Sequence, residues 1–331
     1  MKDIFKKILI IRLSSLGDIL LTTPVIRALK KKYPESSIDF LVKSQYSDVI
    51  KYNPYLNKIY EYNSSNLKVL ITQLKQNEYE LIIDLQNNFR SRLITFQLKS
   101  PAYHFKKLSL KKFLLVKFKI NLFNKTKTIP ERYAETYPQI KLDENGLDLF
   151  IPSEIENEID TNFSNAQVIG FCPGSRHFTK RWPSEYFVEL GNKLAEDGYQ
   201  IFILGGKNDK EICAEISKKI QNSINLQNDD EILKTAVYMK KCKAIVTNDS
   251  GLMHTASAIG LPVLVLFGSS VKEFGFTPYK VKNIILENNS LSCRPCSHIG
   301  KEKCPEKHFK CMKDLTPDLV YQTLKKLMNS L

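Results

Sequence analysis

Residues 8–18 read ILIIRLSSLGD, an apolar, β-branched run followed by a turn that holds an arginine, two serines, a glycine and an aspartate. A helical pattern from Pro24 to Lys32 comes next, so the stretch is typical of a strand, turn and helix unit. In open parallel sheets, ligands bind outside the carboxyl ends of the strands. The stretch therefore predicts a parallel α/β fold, with Asp18 facing a crevice at the end of the first strand.

The same alternation of short apolar runs and amphipathic patterns continues along the chain. Further strands are predicted at Ile38–Val42, Lys58–Tyr60, Leu81–Leu85, Val168–Phe171, Gln200–Leu204, Ala244–Val246 and Val263–Phe267. Further helices are predicted at Asn66–Gln76, Pro183–Glu196, Asp209–Ile220, Asp229–Lys241 and Thr316–Leu331. The strands fall into two similar halves, and the acidic, polar stretch Leu142–Asn165 is predicted to be the linker between them.

Length and composition agree with a folded protein of two domains. The chain has 331 residues, of which 43% are hydrophobic and 25% charged, as in globular proteins. Its 49 basic and 35 acidic residues give a net charge of +14, which indicates an anionic partner such as phosphate, nucleic acid or a membrane surface. The first apolar run is too short for a signal peptide, and no run approaches the length of a membrane span. We therefore expect a cytoplasmic protein.

A second candidate site follows the strand that ends at Phe171. The loop from Cys172 to Pro183 carries Ser175, Lys180 and Arg181 between a strand end and a helix start. Cationic side chains, free backbone N–H groups and the helix dipole together attract anions, so this loop is predicted to bind phosphate. A solvated basic loop is the alternative.

A third candidate site, Thr247–His254, follows the buried strand Ala244–Val246. Asp249 or Ser250 can cap the next helix, and Gly251 allows a ligand to approach the amides of its first turn. His254 lies one turn further on the same face. Plain helix capping would explain the motif, but its position at the crevice of the second half favours ligand binding.

Two acidic residues have structural alternatives. Asp18 is either a crevice residue or the N-cap of the following helix. Pro24 at the first helical position would make residues 17–22 an irregular lead-in that keeps Asp18 outside the helix. Glu211 follows Gly205 and Gly206, and either accepts hydrogen bonds from ribose hydroxyls or favours a helix N-terminus.

Four sequence blocks together resemble the ADP-heptose:lipopolysaccharide heptosyltransferases of glycosyltransferase family 9: residues 8–24, 84–91, 173–183 and 247–254. The resemblance implies the α/β fold called GT-B, with two facing Rossmann-like domains that contain parallel sheets. It implies an acceptor-binding domain over residues 1–155, a nucleotide-sugar domain over 156–315, and a C-terminal helix over 316–331 that crosses back to pack on the first domain.

The family's reaction would transfer heptose from ADP-heptose, with inversion, to Kdo-lipid A or a heptosylated inner core, with no cofactor and no metal. Asp18 matches the general base of the family, and Lys180 matches the lysine that neutralises the departing ADP. The remaining donor-binding matches are Ser175, Arg181, Glu211, Asp249, Ser250, Gly251 and His254. The acceptor-binding candidates are Ser15, Gly17 and Arg90, where Arg90 contacts an acceptor phosphate or carboxylate or, alternatively, is a structural tether.

The stretch Lys99–Lys127 has nine lysines and no acidic residue. The lysines are interleaved with the aromatic residues Tyr103, Phe105, Phe113, Phe118 and Phe123. Such a stretch can bind nucleic acid or an anionic membrane surface, or form a solvated lysine-rich face. The resemblance favours a peripheral position on the cytoplasmic face of the inner membrane and no nucleic acid.

A cluster of four cysteines lies near the C-terminus, beside two histidines: Cys293, Cys296, Cys304, Cys311, His298 and His308. Its C-x2-C pair suggests zinc, but the other two cysteines are seven residues apart, which is not the usual spacing. We predict no metal, with structural zinc or a disulfide as open alternatives. Two rival functions also stay open: a GT-B transferase for another nucleotide sugar and cell-surface glycan, and a basic nucleic-acid-binding protein.

Overall fold

The computed structural model describes residues 5–123, 126–159 and 167–330. The chain divides into two compact units, one of Met1–Leu108 with Lys127–Phe150 and one of Ser109–Thr126 with Ile151–Leu331. The sequence analysis placed the segment Ser109–Thr126 in the first domain, and this was wrong. The segment belongs to the second unit because Leu115 packs there against Val271 and Phe274.

The described part of the chain contains eleven strands and thirteen α-helices. The strands are Lys7–Ile11 (β1), Ser37–Lys43 (β2), Lys58–Tyr62 (β3), Leu81–Asp84 (β4), Ala102–His104 (β5), Gln167–Cys172 (β6), Tyr199–Ile203 (β7), Ser223–Asn225 (β8), Cys242–Asn248 (β9), Val263–Phe267 (β10) and Asn283–Glu287 (β11). The helices are Leu16–Leu20 (α1), Thr23–Lys32 (α2), Leu67–Lys75 (α3), Phe89–Leu98 (α4), Ser109–Phe118 (α5), Ile129–Ala134 (α6), Ser153–Glu158 (α7), Ser184–Glu196 (α8), Lys210–Lys219 (α9), Ile232–Met239 (α10), Gly251–Ala258 (α11), Lys310–Lys313 (α12) and Pro317–Asn329 (α13). Short 3-10 helices lie at Ser44–Val49, Phe178–Lys180, Lys207–Asp209 and Lys272–Phe274.

The first unit contains a parallel sheet with the strand order β3-β2-β1-β4-β5. Leu9 and Ile11 of the central strand are fully buried, in one cluster with Leu70 and Leu74 of α3 and Ile94 of α4. The chain moves outward from β1 to β3 and then continues with β4 on the other side of β1. Ligands of such sheets bind at this reversal, outside the carboxyl ends of β1 and β4.

The second unit contains a parallel sheet with the strand order β11-β10-β9-β6-β7-β8. Here the reversal lies between β6 and β9, so the loops after these two strands meet at one edge of the sheet. They are the loops that the sequence analysis selected, after Phe171 and after Val246. The prediction of two halves with parallel sheets is confirmed.

The C-terminal helix α13 lies in the second unit. Its residues Val320, Leu324 and Leu327 are buried in one core cluster with Trp182 and with Phe187 of α8. These contacts of its apolar face lie within the second unit, and the predicted packing of this helix on the first domain stays a prediction. Residue 331 lies outside the described residues.

Helix α1 differs from the expected irregular lead-in at residues 17–22. Residues Leu16–Leu20 form a short helix, so Asp18 lies inside a helix rather than before one. The predicted linker also contains a helix, α7, while its residues 160–165 lie outside the described residues. No helix in the described ranges is long and apolar enough to cross a membrane.

Candidate functional site

The Asp18 carboxylate lies at the reversal of the first sheet, and its polar partners include Ser15, Arg12 and Tyr133. Its Oδ2 accepts hydrogen bonds from the backbone N–H of Ser15 at 3.1 Å and from the Ser15 hydroxyl at 2.7 Å. Its Oδ1 lies 2.7 Å from Nη2 of Arg12, and the Tyr133 hydroxyl donates to it at 3.3 Å. The side chain is 17% exposed. Asp18 therefore supports the start of α1 and also reaches the surface at the carboxyl end of the first sheet.

Arg12 and Tyr133 hold Asp18, and sequence analysis did not select either as a site residue. Burial acts to lower the pKa of Arg12, but Asp18 and Tyr133 outweigh it, so the pKa is raised and the guanidinium stays charged. The same guanidinium donates to the carbonyl of Leu85 at the end of β4 at 2.6 Å. Burial raises the pKa of Tyr133, which keeps its hydroxyl protonated as a donor. Arg12 ends a buried strand, which was a usable signal, whereas Tyr133 lies far away in the sequence.

The end of β4 carries a second polar cluster. Asp84 has no exposed surface, and its Oδ1 accepts hydrogen bonds from the backbone N–H groups of Gln86 and Asn87. Its Oδ2 accepts one from the Ser91 hydroxyl at 2.8 Å and lies 3.0 Å from Nδ1 of His104, the last residue of β5. The conformation after β4 is thus fixed by one buried carboxylate.

The predicted acceptor-binding residues are only partly brought together. Ser15 is exposed and bonded to Asp18, and Gly17 is buried in α1 beside it. Arg90 lies on the exposed surface in the first turn of α4, next to Phe89, which is 85% exposed. No contact in the described part of the chain links Arg90 to Asp18, so its role stays a prediction.

In the second unit, the predicted residues Lys180 and Asp249 form an ion pair. Nζ of Lys180 lies 2.7 Å from Oδ2 of Asp249, and the two side chains are 14% and 9% exposed. The Ser270 hydroxyl donates to the same oxygen at 2.5 Å. Burial acts to raise the pKa of Asp249, but Lys180 and Ser270 outweigh it, so the pKa is lowered and the carboxylate stays charged. Asp249 therefore fixes the position of the lysine ammonium group.

Further hydrogen bonds connect the two loops at this edge. The Ser175 hydroxyl donates to the carbonyl of Asp249 at 3.2 Å, and Nε of Arg181 donates to the carbonyl of Ser175 at 2.6 Å. The Asn248 side chain accepts from the backbone N–H of Trp182 at 3.0 Å and donates to the carbonyl of Pro173 at 2.7 Å. The loop that carries Lys180 is therefore held on the end of β9.

Helix α11 begins beside this ion pair. Ser250 is its N-cap and Gly251 its first residue, and the first N–H groups of a helix have no partner within it. The Ser250 hydroxyl oxygen is buried and makes no hydrogen bond within the described chain. His254 is buried one turn later, and its charge contributes to lowering the pKa of Asp249. A buried hydroxyl and a helix N-terminus together form a site suited to an anion.

The surroundings of Lys180 are electropositive. The pKa of His177 is lowered by burial and by the charges of Lys180 and Arg176. The pKa of His298 is lowered by burial and by the charges of Lys112 and Lys180. Both imidazoles are therefore disfavoured in their charged form, as expected where cations predominate.

Glu211 is not brought to this cluster, since it is exposed in the first turn of α9. Asp209 is the acid that lies closer. A Cβ at Gly174 would fall 2.1 Å from Cγ of Asp209, so the loop after β6 can only approach this carboxylate with glycine at that position. Burial raises the pKa of Asp209, and the nearby charge of Arg181 acts against it. Sequence analysis missed Asp209 because it assigned this residue to a helix start.

The C-terminal cysteine cluster contains free thiols. All seven cysteines of the chain are free, so the disulfide alternative is not present. Sγ of Cys293 lies 3.9 Å from Nε2 of His308. Across residues 5–123, 126–159 and 167–330, no three cysteine, histidine or acidic side chains are grouped to hold a metal ion. The segment instead supports the Lys180 loop: Thr179 N–H donates to the carbonyl of Lys301 at 3.1 Å.

Comparisons with known proteins agree with this arrangement. The family model described as glycosyltransferase family 9 (heptosyltransferase) matches residues 68–308. Lipopolysaccharide heptosyltransferase 2 of Salmonella typhimurium is 26% identical over 98% of this chain and 99% of its own.

Two solved structures share the fold. A family 9 glycosyl transferase from Veillonella parvula has a TM-score of 0.80 at 23% identity, over 98% of both chains. The E. coli ADP-heptose lps heptosyltransferase II has a TM-score of 0.76 at 23% identity, over 98% of this chain and 99% of that one. These likenesses show a GT-B fold, and the family match shows an enzyme that transfers glycosyl groups. The chain belongs to glycosyltransferase family 9, the heptosyltransferases.

Proposed function

We propose that this enzyme transfers heptose from ADP-heptose to the inner core of lipopolysaccharide, by a single inverting displacement at the anomeric carbon. The proposal rests on two polar networks, one at the strand reversal of each sheet. The first presents a carboxylate and the second presents an ammonium group beside a helix N-terminus. These are the groups that a hydroxyl nucleophile and a diphosphate leaving group require. The names of the relatives contain ADP-heptose and lipopolysaccharide, and the inner core as acceptor is part of our proposal.

Asp18 is proposed as the general base. A base must lie within hydrogen-bond reach of the hydroxyl that it deprotonates, and it must hold one orientation. Arg12, Ser15 and Tyr133 fix both oxygens of Asp18 while leaving part of the side chain exposed. After the proton transfer, the same donors would hold the carboxylic acid in place.

The second unit is proposed to bind ADP. The ammonium group of Lys180 and the N–H groups at the start of α11 would contact the diphosphate, and the Ser250 hydroxyl would donate to it. As the bond to the sugar breaks, negative charge grows on ADP, and these preorganised positive groups would stabilise it. We propose that the leaving group needs no metal ion, because the protein itself supplies this field.

The direct test uses the purified chain with ADP-heptose and Kdo-lipid A or a heptosylated core, with mass spectrometry of the product. We expect heptose transfer, an inverted anomeric centre, and activity that survives EDTA. Transfer only from a different nucleotide sugar would contradict the donor, and activity that EDTA abolishes and Mg²⁺ restores would contradict the metal-free step. The core oligosaccharide of a strain that lacks this protein would identify the acceptor sugar.

We also propose that the enzyme binds the cytoplasmic face of the inner membrane through α5 and the residues that follow it. This helix exposes large apolar side chains, with Leu110 at 69%, Phe113 at 55% and Phe118 at 57%, and Lys117 is exposed between them. Exposed aromatic and aliphatic side chains can enter the headgroup region of a bilayer, and neighbouring lysines are attracted to anionic lipids.

Part of the lysine-rich stretch serves other purposes. Nζ of Lys119 donates to the carbonyls of Cys293 and Pro295 at 2.9 and 2.7 Å, and Lys127 forms an ion pair with Glu135. Phe105 packs against Tyr133, and Phe123 against Phe274. Lys125 lies outside the described residues. The proposed membrane surface is therefore smaller than the sequence indicated and centres on α5.

Sedimentation with vesicles tests this surface. We expect binding that increases with the fraction of anionic lipid and decreases with salt, because salt screens the charges. Replacing Lys111 and Lys117 with Gln should weaken binding, whereas the same change at Lys218 and Lys219, exposed in the last turn of α9, should not. Binding that ignores lipid charge, or equal losses in both double variants, would contradict the proposal.

A further inference from the structure

His104 is a polar residue of the first unit that the proposed mechanism does not use. It is the last residue of β5, and in the register of the sheet it lies beside Asp84, which in turn lies beside Ile11 of β1. The side chain therefore stands at the same sheet edge as the start of the Asp18 turn. Its exposed fraction is 18%, while its partner Asp84 has none.

The contacts of Asp84 determine which nitrogen of His104 carries the hydrogen. Asp84 accepts hydrogen bonds from two backbone N–H groups and from the Ser91 hydroxyl, so it acts as an acceptor throughout. Nδ1 of His104, at 3.0 Å from Oδ2, must then be the donor. In the neutral imidazole, Nε2 consequently has a lone pair that can accept a hydrogen bond.

The charged groups around this position indicate a binding surface. The pKa of Lys107 is lowered by burial and by the charge of Arg12, whereas the charges of Asp84 and Asp18 act to raise it. Lys107, Asp84, which holds His104, and the Asp18 network therefore interact electrostatically. Polar groups of both signs at the reversal of an open sheet are typical of a site for a hydroxylated ligand.

We propose that His104 is an acceptor-binding residue, whose Nε2 accepts a hydrogen bond from a hydroxyl group of the acceptor sugar. Asp84 is then a positioning residue that fixes the ring and its tautomer. This inference rests on the proposed function, because it assumes that the acceptor occupies the first unit. The proposed hydrogen bond gives the site a contact with an uncharged hydroxyl group of the acceptor, in addition to its charged groups.

Two isosteric variants separate this role from a structural one. His104→Asn keeps a donor for Asp84 at the position of Nδ1 but removes Nε2. His104→Gln places its amide near the position of Nε2 instead. We expect His104→Asn to raise the KM for the acceptor about 3- to 10-fold, which is the effect of one hydrogen bond. The KM of His104→Gln should show only a small part of this increase, because the Gln amide oxygen can accept the same hydrogen bond. The Kd for ADP should not change in either variant.

A spectroscopic measurement supplies a second readout. In the wild-type enzyme labelled with ¹⁵N-histidine, adding acceptor should shift the Nε2 signal of His104 but not its Nδ1 signal. An unchanged Nε2 signal, or a wild-type KM in His104→Asn, would overturn the role of His104 while leaving heptose transfer intact. A wild-type enzyme that transfers no heptose would overturn the proposed function itself, and this inference with it.

Discussion

The strand reversals of the two sheets contain the same arrangement with the charges exchanged. In the first unit the more exposed member of the ion pair is the carboxylate of Asp18, and the more buried Arg12 holds it. In the second unit the more exposed member is the ammonium group of Lys180, and the more buried Asp249 holds it. Both pairs are 2.7 Å long. The two units differ in which member is more exposed, and the roles proposed for them, proton acceptor in the first and diphosphate binding in the second, follow this difference.

The largest expected effect comes from removing the exposed carboxylate. Asp18→Ala should lower turnover about 10²- to 10⁴-fold, the usual contribution of a general base, and leave ADP affinity nearly unchanged. Initial rates and calorimetry with ADP measure the two quantities separately. Ser15→Ala, which removes one donor to Asp18, is the control and should have a smaller effect on turnover. Near wild-type turnover in Asp18→Ala would exclude it as the base.

Removing either member of the second pair should affect ADP instead. Lys180→Ala and Asp249→Ala should weaken ADP binding about 10- to 100-fold, because a hydrogen bond to a charged group contributes about 1.5–3 kcal/mol. Lys193→Ala is the matched control, since it removes a surface ion pair of the same unit. Unchanged ADP affinity in both site variants would mean that the donor binds elsewhere.

A smaller effect is expected at the start of α11. Ser250→Ala should weaken ADP binding by about 2- to 10-fold without lowering the Tm, because the buried hydroxyl makes no hydrogen bond in the described chain. Loss of an ordinary N-cap would reduce stability instead. A lower Tm at unchanged ADP affinity would show that Ser250 only caps the helix.

The smallest effect concerns pH. The folded chain lowers the pKa of His177, so the unfolded chain binds protons more readily there, and stability should fall as the pH falls below about 6.5. His177→Gln should reduce this slope, because it removes the imidazole whose pKa the cations lower. Urea unfolding between pH 5 and 8 measures the effect. Equal slopes in the wild type and in His177→Gln would contradict it.

The sequence predicted the parts of the fold that have a strong periodic signal. Central strands such as β1 and β10 are continuous buried apolar runs, and both were found. Three edge strands, β5, β8 and β11, were missed: β5 and β8 have only three residues each, and none of the three strands contains a buried residue.

The site residues, like the strands, were predicted where the sequence carries a local signal. Asp18, Lys180 and Asp249 were selected because each follows a predicted strand, and in the structure Lys180 and Asp249 form an ion pair, while their roles stay predictions. Tyr133 could not be found, because its partner Asp18 is 115 positions away and no local pattern connects them. Burial of single side chains, such as the Ser250 hydroxyl, is likewise decided by tertiary packing.

The segment Ser109–Thr126 has a consequence for the order in which the molecule can form. The ribosome releases it between two stretches of the first unit, yet its apolar partners Val271 and Phe274 are synthesised about 150 residues later. Until they emerge, α5 cannot bury Leu115 in its final position. The first unit can close its sheet around this segment as a long insertion, since loop closure costs grow slowly with length. Biosynthesis of the second unit is therefore the step that gives α5 its final packing.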